Sequence, residues 1–198
     1  DRALIYERAL AEEAPAVIDI VIEFCKAEGV TVIAYAGEHI YAEEITEECR
    51  SLTVYHEPMP QVFPPGIAKL SEHGIKTHKL IILDKQEILE GIRPKLAAAL
   101  GSQATLTSAV PGMLEVLPPG TNKGLGVQQL LRHYGVHEDD HVVAFGDGEN
   151  DIEFLSDAVS HGIAVANANP KLKSVARWVS TSSNDDNCVA DILNSLFL

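Results

Sequence analysis

The sequence predicts an α/β protein in two parts, an α+β unit followed by a parallel, doubly wound sheet. In the first part, two strand-like runs are joined directly by Pro111-Gly112, which is typical of an antiparallel hairpin. After Pro118-Pro119-Gly120, strand-like and helix-like runs alternate, which is the signature of a parallel sheet. The change of pattern predicts a domain boundary near Pro118, with residues 1–117 and 118–198 as the two parts.

Helical spacing and breakers define the elements of the first part. Apolar residues recur from Ala14 to Cys25 and Gly29 then ends the helix. A later helix containing Ile88 and Leu100 is expected to be capped by Asp84, and Pro94 is expected to kink or restart it. The other predicted elements are strands at 30–36, 79–83, 103–110 and 113–117 and helices at 43–50 and 65–73.

The pattern of the second part predicts three strands separated by helices. A helix is predicted to begin at Lys123, and another at Pro170 with Asn169 as its cap. The other expected elements are strands at 141–145, 162–166 and 178–180 and helices at 123–134, 150–157 and from 186 onward.

Composition narrows the class of protein. The chain has 198 residues, 46% of them hydrophobic, so it can bury a core. Its 15 Lys+Arg against 29 Asp+Glu give a net charge of −14, which argues against nucleic acid or an anionic membrane as partner. Three widely spaced cysteines predict reduced thiols of an intracellular, cytoplasmic protein. No apolar run approaches the ~18 residues that a membrane span needs.

The segment Gly146-Asp147-Gly148-Glu149-Asn150-Asp151 is the most informative of the chain. It follows an apolar strand-like run and precedes an amphipathic one, so it is predicted to turn at the carboxyl end of a parallel strand, where α/β sheets place their ligands. Two carboxylates and two glycines suit a hard cation and a phosphate. The alternative is a plain loop in which Asn150 caps the next helix with Glu153 at its third position.

A set of motifs in fixed order carries a resemblance to a known family. They are Met113-Leu114-Glu115-Val116, Lys123 at a helix start, the 146–151 loop, Gly162 to Ala168 before Pro170, and Ser183-Asn184-Asp185-Asp186. In this order the chain closely resembles the haloacid dehalogenase (HAD) superfamily, and more narrowly its Cof-type phosphatases with a type IIB cap. The resemblance implies an α/β fold with the carboxy-terminal half of a HAD Rossmann-like parallel-sheet core plus an α+β (C2-type) cap domain.

The resemblance also implies an activity, a cofactor and site residues. The activity would be Mg²⁺-dependent hydrolysis of small phosphorylated metabolites through an aspartyl-phosphate intermediate. Lys123 would orient the nucleophile and bind the phosphoryl group, and Asn150 and Asn167 would help to bind phosphate. Asp147 would bind the metal, and Asp151 would either coordinate it or hold Lys123. Gly124 and Gly126 look like half of a dinucleotide fingerprint, but no strand ends in the motif, so that reading is set aside.

The family's nucleophile motif, Asp-x-Asp-Gly-Thr, does not occur in these 198 residues. The first hypothesis is therefore a phosphatase seen here without its amino-terminal nucleophile motif, and inactive in this form. The second hypothesis is a non-catalytic binding or assembly module derived from such an enzyme. Either way, a sheet edge without its neighbouring strand predicts self-association or pairing with the missing amino-terminal segment.

Overall fold

The computed structural model describes residues 4–137 and 142–197, without the side chain of Phe197. The chain divides into two compact units, Arg8–Thr121 and a second unit made of Asn122–Leu198 with Asp1–Glu7. The predicted strand at 141–145 begins at His141, which lies outside the described residues. No helix in the described ranges is both long enough and apolar enough to cross a membrane.

The unit Arg8–Thr121 is built on one six-stranded sheet. Its helices are α1 (Leu10–Glu13), α2 (Pro15–Glu28), α3 (Glu47–Ser51) and α4 (Gln86–Leu100). Its strands are β1 (Thr31–Ala36), β2 (His39–Ala42), β3 (Gln61–Val62), β4 (Lys79–Leu83), β5 (Thr105–Thr107) and β6 (Met113–Leu117).

The strand order is β3-β2-β1-β4-β6-β5, and every pair is antiparallel except β2 with β3. Both faces of this sheet carry a buried apolar cluster. One face packs Ala34 and Ile82 against α2 and α4, and the other packs Ile33 and Ile81 against Cys49 of α3. Alternate residues of a strand point to opposite faces, so the continuous apolar run of β4 follows from burial on both sides.

The sequence predictions for this unit were partly wrong. β2 and β3 were not predicted, and the helix expected at 65–73 is instead two short 3₁₀ turns, Ile67–Lys69 and Ser71–His73. α4 runs through Pro94 as one helix, and its N-cap is Lys85 rather than Asp84. The hairpin of β5 and β6 is confirmed, and Gly112 has the positive φ of +81° that a tight turn asks of glycine.

The two ends of this unit lie at the same end of its sheet. On entry, the N–H of Leu10 donates to the carbonyl of His78, the residue just before β4, at 3.2 Å. On exit, β6 ends at Leu117, one residue after Val116, which pairs with Leu80 near the start of β4. Entry and exit therefore both meet the beginning of β4.

The second unit holds a three-stranded parallel sheet in the order β7-β8-β9. Its strands are β7 (Val143–Gly146), β8 (His161–Ala164) and β9 (Trp178–Val179). Its helices are α5 (Lys123–Tyr134), α6 (Ile152–Ser156), α7 (Pro170–Val175) and α8 (Cys188–Phe197). The parallel, strand-helix alternation that the sequence predicted is confirmed. α5 has the predicted bounds, α6 is shorter than 150–157 at both ends, and β8 begins and ends earlier than 162–166.

Candidate functional site

The loop after β7 is organised around the buried carboxylate of Asp151. β7 ends at Gly146, a 3₁₀ turn spans Glu149–Asp151, and α6 follows directly. The Oδ2 atom of Asp151 accepts the backbone N–H groups of Asp147 and Gly148, each at 3.0 Å. Asp151 is only 3% exposed, so these bonds replace the water that a carboxylate otherwise requires.

Lys123 is the third hydrogen-bond donor to the carboxylate of Asp151. Asn122 caps α5 by accepting the N–H of Leu125 at 2.7 Å, which fixes Lys123 in the first turn. From there the Nζ of Lys123 reaches Oδ1 of Asp151 at 2.5 Å. The side chain of Lys123 is 50% exposed and that of Asp151 only 5%, so the ammonium faces solvent on one side and its carboxylate anchor on the other.

Two glycines allow this contact to form. A Cβ on Gly146 would lie 2.7 Å from the Cβ of Asp151, and a Cβ on Gly124 would lie 2.8 Å from the carbonyl oxygen of Glu153 in α6. Both distances are shorter than side chains tolerate. Gly146 therefore lets Asp151 fold back over the loop, and Gly124 lets α5 lie against α6. The sequence drew attention to Gly124 for a dinucleotide motif, and the structure gives it this packing role instead.

Asp147 is the exposed carboxylate of the site. Its Oδ2 accepts a hydrogen bond from Nδ2 of Asn184 at 3.1 Å. Asn184 is in turn held by Asn167: Asn167 Nδ2 donates to its Oδ1 at 2.7 Å, and its backbone N–H donates to Asn167 Oδ1 at 3.2 Å. The carbonyl of Asp147 also accepts the N–H of Asn169 at 2.8 Å. Asp147 is thus fixed from both its side chain and its backbone.

The structure places the five predicted site residues in one region of the second unit. Lys123 and Asp151 touch directly, and Asp147 shares the loop with Asp151. Asn167 contacts Asp147 only through Asn184. Asn150 lies half-buried in the 3₁₀ turn and does not cap α6, whose N-cap is Asp151, so the plain-loop alternative is wrong in that detail.

Asn184 is the site residue that the sequence did not single out. It stood within the Ser183-Asn184-Asp185-Asp186 motif, but nothing in the local pattern marks its amide as a partner of Asp147. The structure reveals the link because β7 and β8 bring residues 147 and 167 to the same edge of the parallel sheet.

The residues fit Mg²⁺ only in part. Mg²⁺ is usually held by one or two carboxylates together with water and substrate phosphate oxygens. Asp147 offers one such carboxylate, with Oδ1 free of partners among the described residues. The carboxylate of Asp151 has little capacity left to bind a metal ion, because two N–H groups and an ammonium already bond its oxygens. Within residues 4–137 and 142–197 no group of three or more His, Cys, Asp or Glu is arranged to hold a metal.

Comparisons with known proteins agree on a family. The family of haloacid dehalogenase-like hydrolases matches residues 2–193. Chloroplastic endoribonuclease YBEY of Arabidopsis thaliana is 42% identical over 142 residues, which is 71% of this chain and 24% of that protein. HMP-PP phosphatase of Cronobacter sakazakii is 43% identical over 106 residues, which is 54% of this chain and 38% of that protein.

A solved structure gives the same result. A HAD/COF-like hydrolase from Plasmodium vivax superposes with a TM-score of 0.81 at 26% identity, covering 92% of this chain and 64% of that one. The chain therefore spans less than two thirds of the length of each of these three relatives.

Fold, site and comparisons define an α/β protein of the haloacid dehalogenase type. The chain belongs to the family of haloacid dehalogenase-like hydrolases.

Proposed function

We propose that this chain is the cap and part of the core of a Mg²⁺-dependent phosphatase that hydrolyses small phosphorylated metabolites through an aspartyl-phosphate. The observation that carries the proposal is the 2.5 Å contact between Lys123 and a buried Asp151 that also holds the loop after β7. Asp151 thus bonds both the half-exposed Lys123 side chain and the backbone of Asp147, whose carboxylate is exposed, and a cation and an anion held in this way suit a phosphoryl group and its counter-ion.

Lys123 has the role of binding the phosphoryl oxygens. Asp151 orients the ammonium, and half of the lysine side chain remains accessible to substrate. A lysine held in this way stabilises negative charge on the phosphoryl group without reorganising when the reaction occurs. Asn150 and Asn167 are assigned to the phosphate side of the site, and Asn167 also holds Asn184, which contacts Asp147.

Asp147 would hold Mg²⁺ with its carboxylate, which Asn184 and the backbone contact to Asn169 keep in place. When bound, the metal ion supplies charge neutralisation for the phosphoryl oxygens. The contacts of Asp151 favour its role as holder of Lys123 over direct metal coordination.

The attacking aspartate is proposed to come from outside these 198 residues. Asp151 is engaged by three donors and cannot attack while it holds Lys123. Asp147 is assigned to the metal. We therefore expect these 198 residues alone to be inactive and the longer polypeptide to be active.

The names of the relatives support phosphate-ester chemistry. One is a phosphatase by name, and it aligns over 54% of this chain. The endoribonuclease name belongs to a protein of which the aligned residues form 24%, so it does not say that this part cleaves RNA. A net charge of −14 also disfavours an RNA substrate, because nucleic-acid binding depends on contacts between basic side chains and phosphates.

The test is a phosphatase assay of the full-length protein with Mg²⁺ against an aryl phosphate, sugar phosphates and cofactor phosphates. We expect turnover, and we expect Asp147→Asn to lower it on the order of 100-fold because a metal-binding anionic oxygen is lost. The matched control is Asp157→Asn, the same change at an exposed position after α6, which should leave turnover unchanged.

Two results would contradict the proposal. Normal turnover in Asp147→Asn would place the metal elsewhere. No turnover of any ester by the full-length protein would favour the binding-module hypothesis.

A further inference from the structure

A cavity lies within the unit Arg8–Thr121, at the end of β4 that is away from the entry and exit points. It has a volume of about 340 Å³, which is at the lower end of the range for small-molecule pockets. One wall is formed by α3 with the following 3₁₀ turn Leu52–Tyr55, and the other by the hairpin turn at Pro111-Gly112. No residue of the site around Lys123 lines it, so a ligand bound here would occupy a separate site.

The floor of the cavity is apolar, and its rim carries apolar side chains that are open to water. Leu83 and Met113 line it and belong to the buried cluster on that face of the six-stranded sheet. Val54 and Tyr55 line it as well, and they remain 74% and 48% exposed. A ligand with an apolar body would remove this surface from water, which favours binding.

The rim of the cavity is negatively charged. The carboxylates of Glu47, Glu48 and Asp84 line it, and Lys85 is the one basic residue of the lining. Among the described residues, the carboxylate of Glu47 has no hydrogen-bond or ion-pair partner, and Lys85 forms no ion pair with any of the three. Asp84 accepts the backbone N–H of Lys85 through Oδ1 at 2.7 Å, and its Oδ2 has no described partner. The rim therefore lacks the counter-charge that a bound cation would supply.

The walls of the cavity are held in place by hydrogen bonds of the protein itself. Thr31 Oγ1 donates to Oε2 of Glu48 at 3.4 Å. The hydrogen bond from its own backbone N–H lowers the pKa of the Glu48 carboxyl, so this group is ionised at neutral pH. On the other wall, the N–H of Gly112 donates to Oε1 of Gln86 at 2.9 Å, and its carbonyl accepts the N–H of Asp84 at 3.3 Å. A preformed cavity of this kind loses little conformational freedom when a ligand binds.

We propose that this cavity is a binding site for an organic cation with an aromatic body, an arylalkylamine. The ring lies on Leu83 and Met113 beside Tyr55, since aromatic rings pack well against tyrosine and against a thioether. The ammonium lies between the carboxylates of Glu47 and Asp84, which it neutralises through charge-assisted hydrogen bonds. The inference does not depend on the proposed phosphatase activity, because its readout is binding in the unit without the phosphate site.

The experiment titrates the 198-residue chain, labelled with ¹³C in its methionine methyl groups, with 2-phenylethylamine. The chain has two methionines, and Met59 does not line the cavity, so its signal is an internal control for that of Met113. We expect a saturable shift of the Met113 signal with a Kd of about 1 mM or below, which a ligand of roughly nine non-hydrogen atoms can reach. The Met59 signal should not move, and Met59→Leu assigns the two signals.

Two further ligands separate the two components of recognition. 2-Phenylethanol keeps the ring and lacks the positive charge, whereas propylamine keeps the ammonium and lacks the ring. Each should bind at least about tenfold more weakly than 2-phenylethylamine, because each loses one of the two kinds of contact.

Matched variants test the two components in the protein. Asp84→Asn keeps an oxygen for the N–H of Lys85 but removes the charge, and should weaken binding at least about threefold. Glu87→Gln removes the same charge in the first turn of α4, outside the lining, and should bind like the wild type. Tyr55→Ser should also weaken binding at least about threefold. Tyr134→Ser changes an exposed tyrosine outside the lining and should have no effect.

Three outcomes would overturn the proposal. The first is no saturable shift of the Met113 signal up to about 10 mM amine, with circular dichroism showing that the chain is folded. The second is equal affinity for 2-phenylethylamine and 2-phenylethanol, which would show that the carboxylates do not select a cation. The third is unchanged binding in both Asp84→Asn and Tyr55→Ser, or equal shifts of the Met59 and Met113 signals, which would place the amine elsewhere.

Discussion

The two sheets of this protein differ in how completely they bury their own side chains. The six-stranded sheet of Arg8–Thr121 has an apolar cluster on each face, made entirely of residues from its own unit. Among the residues that the structure describes, the three-stranded sheet has one buried apolar cluster, which includes Ala144 and Ala164, while Trp178 and Val179 of β9 remain 43% and 48% exposed. The first sheet therefore supplies its own stability, whereas the second holds the polar site residues and leaves apolar surface exposed. The difference shows that stability and chemistry are concentrated in separate parts of the chain.

The largest expected effect tests whether each core supports only its own unit. Leu96 in α4 and Leu172 in α7 are both fully buried. Each Leu→Ala change should cost about 2–5 kcal/mol because it removes apolar contacts and leaves a cavity. Leu172→Ala should lower the unfolding midpoint that is followed by Trp178 fluorescence. Leu96→Ala should lower the midpoint that is followed by circular dichroism and leave the midpoint from Trp178 fluorescence unchanged. Equal shifts of both probes in both variants would show one cooperative unit.

The next effect tests how tightly the covered face of the parallel sheet is packed. A Cβ on Gly162 would lie 2.1 Å from the carbonyl oxygen of Leu155, so Gly162→Ala must push α6 off β8. We expect a cost of about 1–3 kcal/mol in chemical denaturation. Gly126→Ala is the matched control, because that helical position has nothing within 4 Å of its Cβ and should gain about 0.5–1 kcal/mol. No loss in Gly162→Ala would mean that α6 can shift freely.

A smaller effect tests whether Asp151 or Lys123 contributes more to the stability of the folded protein. Asp151→Ala should cost about 1–3 kcal/mol, because it leaves the N–H groups of Asp147 and Gly148 without their acceptor. Lys123→Ala should cost less than Asp151→Ala, because the Lys123 side chain is half exposed and the two backbone N–H groups still bond the carboxylate of Asp151. Chemical denaturation of both variants measures the two losses in the free energy of unfolding. Equal costs would mean that the ion pair itself, rather than the loop anchor, dominates.

The smallest effect at neutral pH concerns the core of the six-stranded sheet. Burial raises the pKa of the Cys25 thiol from 9.0 to about 12. The unfolded thiol ionises first, so its contribution to stability is complete below about pH 9 and falls as the pH rises towards 12. Between these values the free energy of unfolding should drop by up to about 1.4 kcal/mol per pH unit from this group.

The variant Cys25→Ala provides the comparison for that slope. Its stability should decline less steeply above pH 9 than that of the wild type, with other ionising groups common to both. Identical slopes in the two proteins would show that the thiol is accessible to water.

Local signals in the sequence predicted the elements that end at glycines or begin at caps. The helix ended by Gly29 and the cap at Asn169 are both found as expected. β2 and β3 were missed because they are short and their pairing, rather than their composition, makes them strands. The helix predicted at 65–73 was wrong because the segment forms two separate 3₁₀ turns.

The charged residues of the site could be predicted from the sequence, because a lysine and carboxylates have the same binding chemistry in any fold. Lys123 and the carboxylates of the loop could be named from the sequence, and holding Lys123 was one of two roles open for Asp151. The position of Asn184 could not be predicted, because its contact with Asp147 spans 37 residues and depends on the strand order of the sheet. Likewise, Gly124 could be interpreted only once the distance to Glu153 was known.

The shared position of entry and exit in the unit Arg8–Thr121 has a consequence for how such proteins diversify. With Leu10 bonded beside the start of β4 and Leu117 ending beside it, the unit is connected to the rest of the polypeptide at one place. A unit with neighbouring termini can be inserted into a host fold, or exchanged for another, without rerouting the host chain. Its separate core means that such an exchange would carry a complete folding unit from one gene to another.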